Sequence, residues 1–178
     1  MRRAPGGRYH SPVRFLAIDL GARRVGLAIS DATGVLARPL EVLEATGAAQ
    51  VDRVATAIHR LAAEEDGLET IVVGLPRRLD GTPNAQTAAV TAFVGALRSR
   101  IGQPIVLQDE RLSSVEAESR LALCDRDWRS RKKKLDAAAA AVILQDYLDS
   151  DRRQRTEDRR QNPEESSEKR EERRSKTE

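Results

Sequence analysis

The stretch FLAIDLGARRVGLAISD, residues 15–31, contains two apolar runs of strand length on either side of a short turn. Gly21 and the arginine pair that follows it mark the turn, so the stretch predicts two adjoining strands. Asp19 lies at the end of the first run, where a charge beside a core is costly unless something compensates it. The nature of that compensating charge is the first question about function.

The sequence up to residue 150 continues with alternating strand and helix patterns. Three closely joined strands predict an antiparallel meander, and later strands that alternate with helices should pair in parallel. The prediction is an α/β fold with strands at 13–20, 25–30, 36–42, 70–76 and 104–110, and helices at 51–62, 85–100, from about 113, and 135–148.

Both ends of the chain differ in composition from its middle. We expect residues 1–12 to be a disordered basic arm, and no acidic residue precedes Asp19. Residues 151–178 contain no Val, Ile, Leu, Met or aromatic residue, and their ten basic and nine acidic side chains nearly cancel. Such a segment can bury nothing, so we expect a disordered tail or a fraying charged helix after a single domain over 13–150.

Composition excludes several classes of protein. The 178 residues carry 31 basic and 28 acidic side chains, for a net charge of +3. Cys124 is the only cysteine, which excludes an intrachain disulfide and a cysteine-based metal cage and fits a reducing, cytoplasmic setting. No apolar stretch approaches the ~18 residues of a membrane span, so no membrane partner is expected.

Three acidic positions stand out by their context. Asp19 ends the first strand, the pair Asp109 and Glu110 ends the strand at 104–110, and Asp136 opens the predicted last helix. In this topology all three positions reach one edge of the sheet. Each also has a structural alternative, because Asp19 can accept turn hydrogen bonds, Glu110 can pair with a cation and Asp136 can cap the helix.

Clustered carboxylates repel one another unless a cation sits among them. Oxygen ligands without His or Cys favour Mg²⁺ or Mn²⁺. Two such ions about 4 Å apart can activate water and stabilise the leaving oxygen in phosphodiester cleavage. A bound divalent metal is therefore the expected compensating charge for Asp19, which leaves the side chains of Arg23 and Arg24 free to meet phosphate.

Four segments resemble the successive motifs of one family. They are AIDLGARRVGLAISD, VVGLPRRLDGTPNAQT, LQDERLSSVEAE and KLDAAAAAVILQDYL, which begin at residues 17, 72, 107 and 134. In order and spacing they resemble the YqgF/RuvX family, whose members are named for Holliday junction resolution and for pre-16S rRNA processing. The resemblance implies a ribonuclease H-like fold, with a mixed five-stranded sheet of three antiparallel and then parallel strands flanked by helices.

The resemblance also implies roles for individual residues. It makes Asp19, Glu110 and Asp136 the catalytic metal ligands, with Glu110 preferred over Asp109 because it matches the acid of the family's D-E-R motif. The substrate would be a four-way DNA junction or precursor rRNA, and two symmetric cuts in a junction would need a homodimer. Candidate nucleic-acid contacts are Arg23, Arg24, Arg77, Arg78, Arg111, Arg126, Trp128, Arg129, Arg131, Lys132, Lys133 and Lys134.

Two other classes of function compete with the nuclease. Proteins of the actin and sugar-kinase type also begin with an Asp-x-Gly turn, but this turn lacks their phosphate-binding Ser or Thr and the chain is short for their second domain. A non-catalytic nucleic-acid-binding module is the other alternative. The presence of all three acidic residues argues against it.

Overall fold

The computed structural model describes residues 14–78, 82–109 and 128–161, with side chains described for 14–78, 82–109 and 136–158. Five strands and three helices lie within these residues. They are β1 (Phe15–Leu20), β2 (Arg24–Ser30), β3 (Ala37–Glu44), α1 (Ala48–Ala62), β4 (Thr70–Leu75), α2 (Ala85–Arg98), β5 (Ile105–Asp109) and α3 (Trp128–Gln161). The helix predicted from about residue 113 lies outside the described residues.

The five strands form one mixed sheet with the order β3-β2-β1-β4-β5. β2 pairs antiparallel with both β1 and β3, whereas β4 runs parallel to β1 and to β5. Short turns can join only antiparallel neighbours, and the parallel strands follow crossovers that contain α1 and α2. The predicted ribonuclease H-like arrangement of three antiparallel and then parallel strands is confirmed.

The sheet separates two apolar layers. Leu16 and Ile18 of β1 pack towards α1 and α2, whereas Phe15 and Ala17 pack towards α3. This follows from the period of two along a strand, which sends successive side chains to opposite faces. Both faces are covered, so β1 and β4 are apolar along most of their length, as the sequence pattern predicted, and Asp19 is the exception near the end of β1.

Helix α3 is longer than the predicted range 135–148 at both ends. It begins at Trp128, so the basic residues that precede the predicted start at 135 are helical, and it continues to Gln161. Residues 152–158 are exposed, which agrees with a sequence that has nothing to bury. The disorder predicted for the rest of the charged tail stays a prediction.

None of the helices in the described part of the chain is both long enough and apolar enough to cross a membrane. Although α3 has 34 residues, its sequence is rich in charge.

Candidate active site

Asp19 lies on the face of the sheet that α3 covers. Along β1 it follows Phe15 and Ala17 at the period of two, and these two residues pack towards α3. Its partner across the antiparallel pairing with β2 is Gly26, and Arg24 is one further step of two along that strand. Strand alternation therefore places Asp19, Gly26 and Arg24 on one face.

A missing side chain at Gly26 lets α3 approach the sheet. A Cβ atom added to Gly26 would lie 2.1 Å from the backbone oxygen of Asp136 and 3.2 Å from the nitrogen of Ala137. Ala140 is fully buried in the same contact layer, where its small side chain keeps the helix close to Ala17 and Ala28. The backbone at Asp136 thus rests on the residue that pairs with Asp19.

The position of Asp136 within α3 removes one of its alternatives. The helix begins at Trp128, so Asp136 is eight residues inside it and cannot cap its N-terminus. The expectation that Asp136 opens the last helix is therefore wrong, although its expected place beside the strand ends is confirmed by its contact with Gly26. Asp136 therefore lies beside the sheet and not at the N-terminus of the helix.

The turn after Asp19 is closed without help from the Asp19 carboxylate. The backbone N–H of Gly21 donates to the carbonyl of Arg24 at 2.9 Å. The carbonyl of Gly21 accepts a 2.8 Å hydrogen bond from Nε2 of Gln50, a buried side chain of α1. Because these bonds fix the turn, the Asp19 carboxylate is left for another partner.

The environment of Asp19 penalises its ionised form. Burial, followed by the negative charge of Asp136, raises the pKa of Asp19 from 3.8 to about 6. A carboxylate at such a position favours an added cation, because the cation would offset both the lost hydration and the repulsion. Raised acid pKa values of this kind are typical of functional sites.

Arg24 provides one cation at the site. Its Nε lies 2.7 Å from Oδ2 of Asp136, and both side chains are about three-quarters buried. The expectation that Arg24 is free is therefore wrong, because α3 brings a carboxylate from far along the chain onto it. Oδ2 is buried and accepts no aligned hydrogen bond from the described residues, so this ion pair leaves lone pairs of the oxygen unused.

Asp109 is the described member of the acidic pair at the end of β5. Asp109 pairs in register with Leu75, and Ile105 pairs with Ile71, so these positions share the face that α1 and α2 cover. Asp109 is thus on the opposite face of the sheet from Asp19. Glu110 lies outside the described residues.

The loop after β4 also reaches this edge of the sheet. Arg77 and Arg78 are exposed there, and the backbone N–H of Arg78 donates to the carbonyl of Thr82 at 3.0 Å. At the start of α2, Asn84 and Thr87 form a capping box. The capping box satisfies backbone N–H groups at the start of α2. The two arginines are the cationic side chains of this loop.

The remaining candidate side chains lie outside the described ones. Arg111 and Arg126 lie outside the described residues. The first turns of α3 carry the others, without described side chains: Trp128, Arg129, Arg131, Lys132, Lys133 and Lys134. Within the described residues, no three His, Cys, Asp or Glu side chains come together as a metal site.

The sequence model of the RuvX family, described as Holliday junction resolvase, matches residues 13–150. The chain belongs to the RuvX family. The expectation of a nuclease, a hydrolase of phosphodiester bonds, is thereby confirmed at the level of the family.

Proteins similar to this RuvX chain include one from Geobacillus kaustophilus, 42% identical over 142 residues, which cover 79% of this chain and 100% of the relative. Another, from Leifsonia xyli, is 41% identical and covers 77% of this chain and 86% of the relative. Both carry the name "Putative pre-16S rRNA nuclease".

Two solved structures are similar at lower identity. One is T. thermophilus RuvC in complex with Holliday junction substrate, 16% identical with a TM-score of 0.44, over 74% of this chain and 91% of that one. The other is the fowlpox virus Holliday junction resolvase, 12% identical with a TM-score of 0.41, over 78% and 99% of the two chains.

Sequence reasoning missed two residues that build the site. Gly26 sits alone inside an apolar strand, a pattern that signals close approach of another backbone. Gln50 is a polar residue at the apolar start of α1, and its burial became visible only with its partner, Gly21. Gly26 could have been found from the sequence, whereas Gln50 required the tertiary structure.

Proposed function

We propose that this RuvX chain is a divalent-metal-dependent endonuclease that uses Asp19, Glu110 and Asp136 to cleave structured nucleic acid. The observation that carries the proposal is the convergence of Asp19 and Asp136 on one face, where burial and the charge of Asp136 raise the pKa of Asp19. Carboxylates whose pKa is raised in this way cluster at functional sites.

The described residues fit a hard divalent cation. Their ligand atoms are carboxylate oxygens, and Oδ2 of Asp136 is buried and accepts no aligned hydrogen bond from the described part of the chain. Asp109 lies on the other face of the sheet, which supports taking Glu110 as the third acidic ligand. Mg²⁺ or Mn²⁺ is the expected ion, because both prefer oxygen ligands.

When bound, such an ion supplies an activated water and stabilises charge on the scissile phosphate. The chain contributes the placement of its ligands. Gly26 sets how closely Asp136 can approach Asp19, and Gln50 holds the turn that follows Asp19. Burial of Asp19 reduces the hydration of its carboxylate, which strengthens its attraction for a cation.

The exposed arginines supply the contacts to the nucleic-acid backbone in this proposal. Arg23, Arg77 and Arg78 lie at the same edge as Asp19. The first turns of α3 would add the basic side chains that precede Asp136, and Trp128 would stack on a base. Arg111 and Arg126 complete the proposed surface. Every phosphate that these cations neutralise would steepen the salt dependence of binding.

We take precursor rRNA as the first substrate because relatives about 40% identical carry the name of a pre-16S rRNA nuclease. Cytoplasmic location agrees with the single cysteine. The family description favours a four-way DNA junction as the second substrate. Cutting a junction symmetrically would require a homodimer, so light scattering of the protein on each substrate separates the two roles.

The test is cleavage of a labelled pre-16S rRNA fragment and of a labelled four-way DNA junction, each in Mg²⁺, Mn²⁺ or EDTA. We expect metal-dependent cuts that fall more than about a hundredfold in Asp19→Asn and Glu110→Gln. Two matched controls are Asp109→Asn, on the other face of β5, and Asp31→Asn, at the far end of β2. Both should retain most of the cleavage.

Absence of cleavage on both substrates in every metal would refute the nuclease proposal. If binding persisted without cleavage, the non-catalytic module would be the better description. If Asp109→Asn were as inactive as Asp19→Asn while Glu110→Gln stayed active, the assignment of the third ligand would be wrong.

A further inference from the structure

Arg24 is the cation that the protein itself places at the proposed metal site. It begins β2, two residues before Gly26, and Asp136 reaches it only because α3 lies close to the strand there. Its Nε is 2.7 Å from Oδ2 of Asp136, and the two side chains are 24% and 27% exposed. The neighbouring Arg23 lies in the turn and is exposed, so it is the Arg24 side chain that meets Asp136.

Arg24 compensates only part of the negative charge. Asp19 and Asp136 bring two carboxylates to this face, whereas Arg24 provides one guanidinium, which lies against Asp136. The contact also lacks an aligned hydrogen bond at Oδ2, so it is weaker than a bidentate Arg–carboxylate pair. A divalent ion carries twice the charge of Arg24 and can contact both carboxylates, so it should compete well for the same oxygen.

We propose that Arg24 is a displaceable counter-ion: a divalent metal takes its place on Asp136, and the released guanidinium then binds a phosphate of the nucleic acid. The inference rests on the proposed function, since it assumes that Asp136 is a metal ligand. It deepens that function by coupling metal binding to substrate binding through one side chain. The coupling is reciprocal, so bound nucleic acid would also tighten the binding of metal.

Arg24 lies at the end of the sheet where other arginine side chains are exposed. Across the strand pairing it lies opposite Glu44, and Arg23 precedes it in the turn. Arg77 and Arg78 are exposed in the loop after β4, which runs parallel to β1 and ends at the same end of the sheet. A phosphate bound there would contact the released guanidinium together with these exposed arginines. Arg also suits a phosphate because its planar fork can donate two parallel hydrogen bonds.

The first experiment measures Mn²⁺ affinity by calorimetry, without nucleic acid, in the full chain. Arg24→Gln removes the competing cation and should tighten Mn²⁺ binding roughly tenfold, which corresponds to about 1.4 kcal/mol. Arg23→Gln removes the same charge from the adjacent residue and should change the affinity less than about threefold, because exposed charges are screened. Unchanged or weaker binding in Arg24→Gln would overturn the inference.

The second experiment measures anisotropy of a fluorescent pre-16S rRNA hairpin and of a four-way junction, in Ca²⁺ or in EDTA, with intact probe verified on a denaturing gel. Ca²⁺ should tighten binding by the wild-type chain at least about fivefold, and Arg24→Gln should lose most of that gain. Arg23→Gln should weaken binding in both conditions and keep the gain. An equal gain in Arg24→Gln and the wild type would overturn the phosphate contact.

The two proposals fail in different ways. If the proposed function fails, the wild-type chain binds no Mn²⁺ or cleaves no substrate in its presence. If only the role of Arg24 fails, the wild type binds Mn²⁺ and cleaves normally, whereas Arg24→Gln matches Arg23→Gln in both experiments. Correct folding of each variant is checked by circular dichroism before either measurement.

Discussion

Replacing Asp19 with Asn should stabilise the metal-free protein at neutral pH. In the folded state the pKa of Asp19 is about 6, compared with 3.8 for an unperturbed aspartate. At about 1.4 kcal/mol for each pH unit, holding this carboxylate ionised at pH 7.5 costs about 3 kcal/mol. Asn has nearly the same shape without the charge, so the free energy of unfolding should rise by about 2–3 kcal/mol.

The sign of the pH dependence follows from proton binding. Between pH 4 and 6 the folded state keeps the proton on Asp19, whereas the unfolded state has already released it. Stability contributed by this group therefore falls as the pH rises through that range. The difference between Asp19→Asn and the wild type should thus be near zero below pH 4 and largest above pH 6.

Urea denaturation in EDTA at pH 4 and pH 7.5 measures this difference. At pH 7.5 the variant's midpoint should be higher by more than about 1 M. Asp31 is the matched control, because backbone hydrogen bonds from Leu36 and Val35 and a side-chain bond from Thr33 outweigh burial and lower its pKa to about 2. Its carboxylate is largely exposed, so Asp31→Asn should destabilise only modestly. A wild type as stable as Asp19→Asn at pH 7.5 would refute the electrostatic account of the site.

Two further substitutions test how the site is positioned. Gly26→Ala places a methyl group 2.1 Å from the backbone oxygen of Asp136 and should displace α3, so Mn²⁺ affinity measured by calorimetry should fall at least about tenfold. Gly95 lies on α2, where an added Cβ would meet open space, so Gly95→Ala should stabilise the fold by about 0.5–1 kcal/mol and leave Mn²⁺ affinity unchanged. Equal Mn²⁺ affinities in the two variants would contradict the role of Gly26. Gln50→Ala removes the buried hydrogen bond to Gly21 and should lower the free energy of unfolding in urea by about 1–3 kcal/mol, and no change would show that the turn does not depend on it.

The strands and the sheet topology could be predicted because local signals agree with the tertiary fold. β1, β2 and β4 are largely apolar runs, β1 and β4 end just before Gly21 and Pro76, and their order along the chain leaves few ways to pair them. The start of α3 was missed because residues 128–134 are basic and lack apolar periodicity. That segment continues a helix whose apolar part begins later.

The site could be predicted only in part, because its electrostatics depend on long-range packing. The sequence indicated that Asp19 and Asp136 belong together, since both map to one end of the sheet. It did not indicate that Arg24 would pair with Asp136, because that contact depends on the depth to which α3 settles on Gly26. A glycine inside a strand indicates close approach of another backbone, but it does not identify that backbone, which here lies more than a hundred residues away.

The most direct test of the central claim is anomalous scattering from crystals of the protein soaked in Mn²⁺. The account predicts an Mn²⁺ peak at bonding distance from carboxylate oxygens of both Asp19 and Asp136, with the Arg24 guanidinium moved away from Oδ2. An Arg24–Asp136 contact still at 2.7 Å, with no Mn²⁺ peak between the two aspartates, would contradict it.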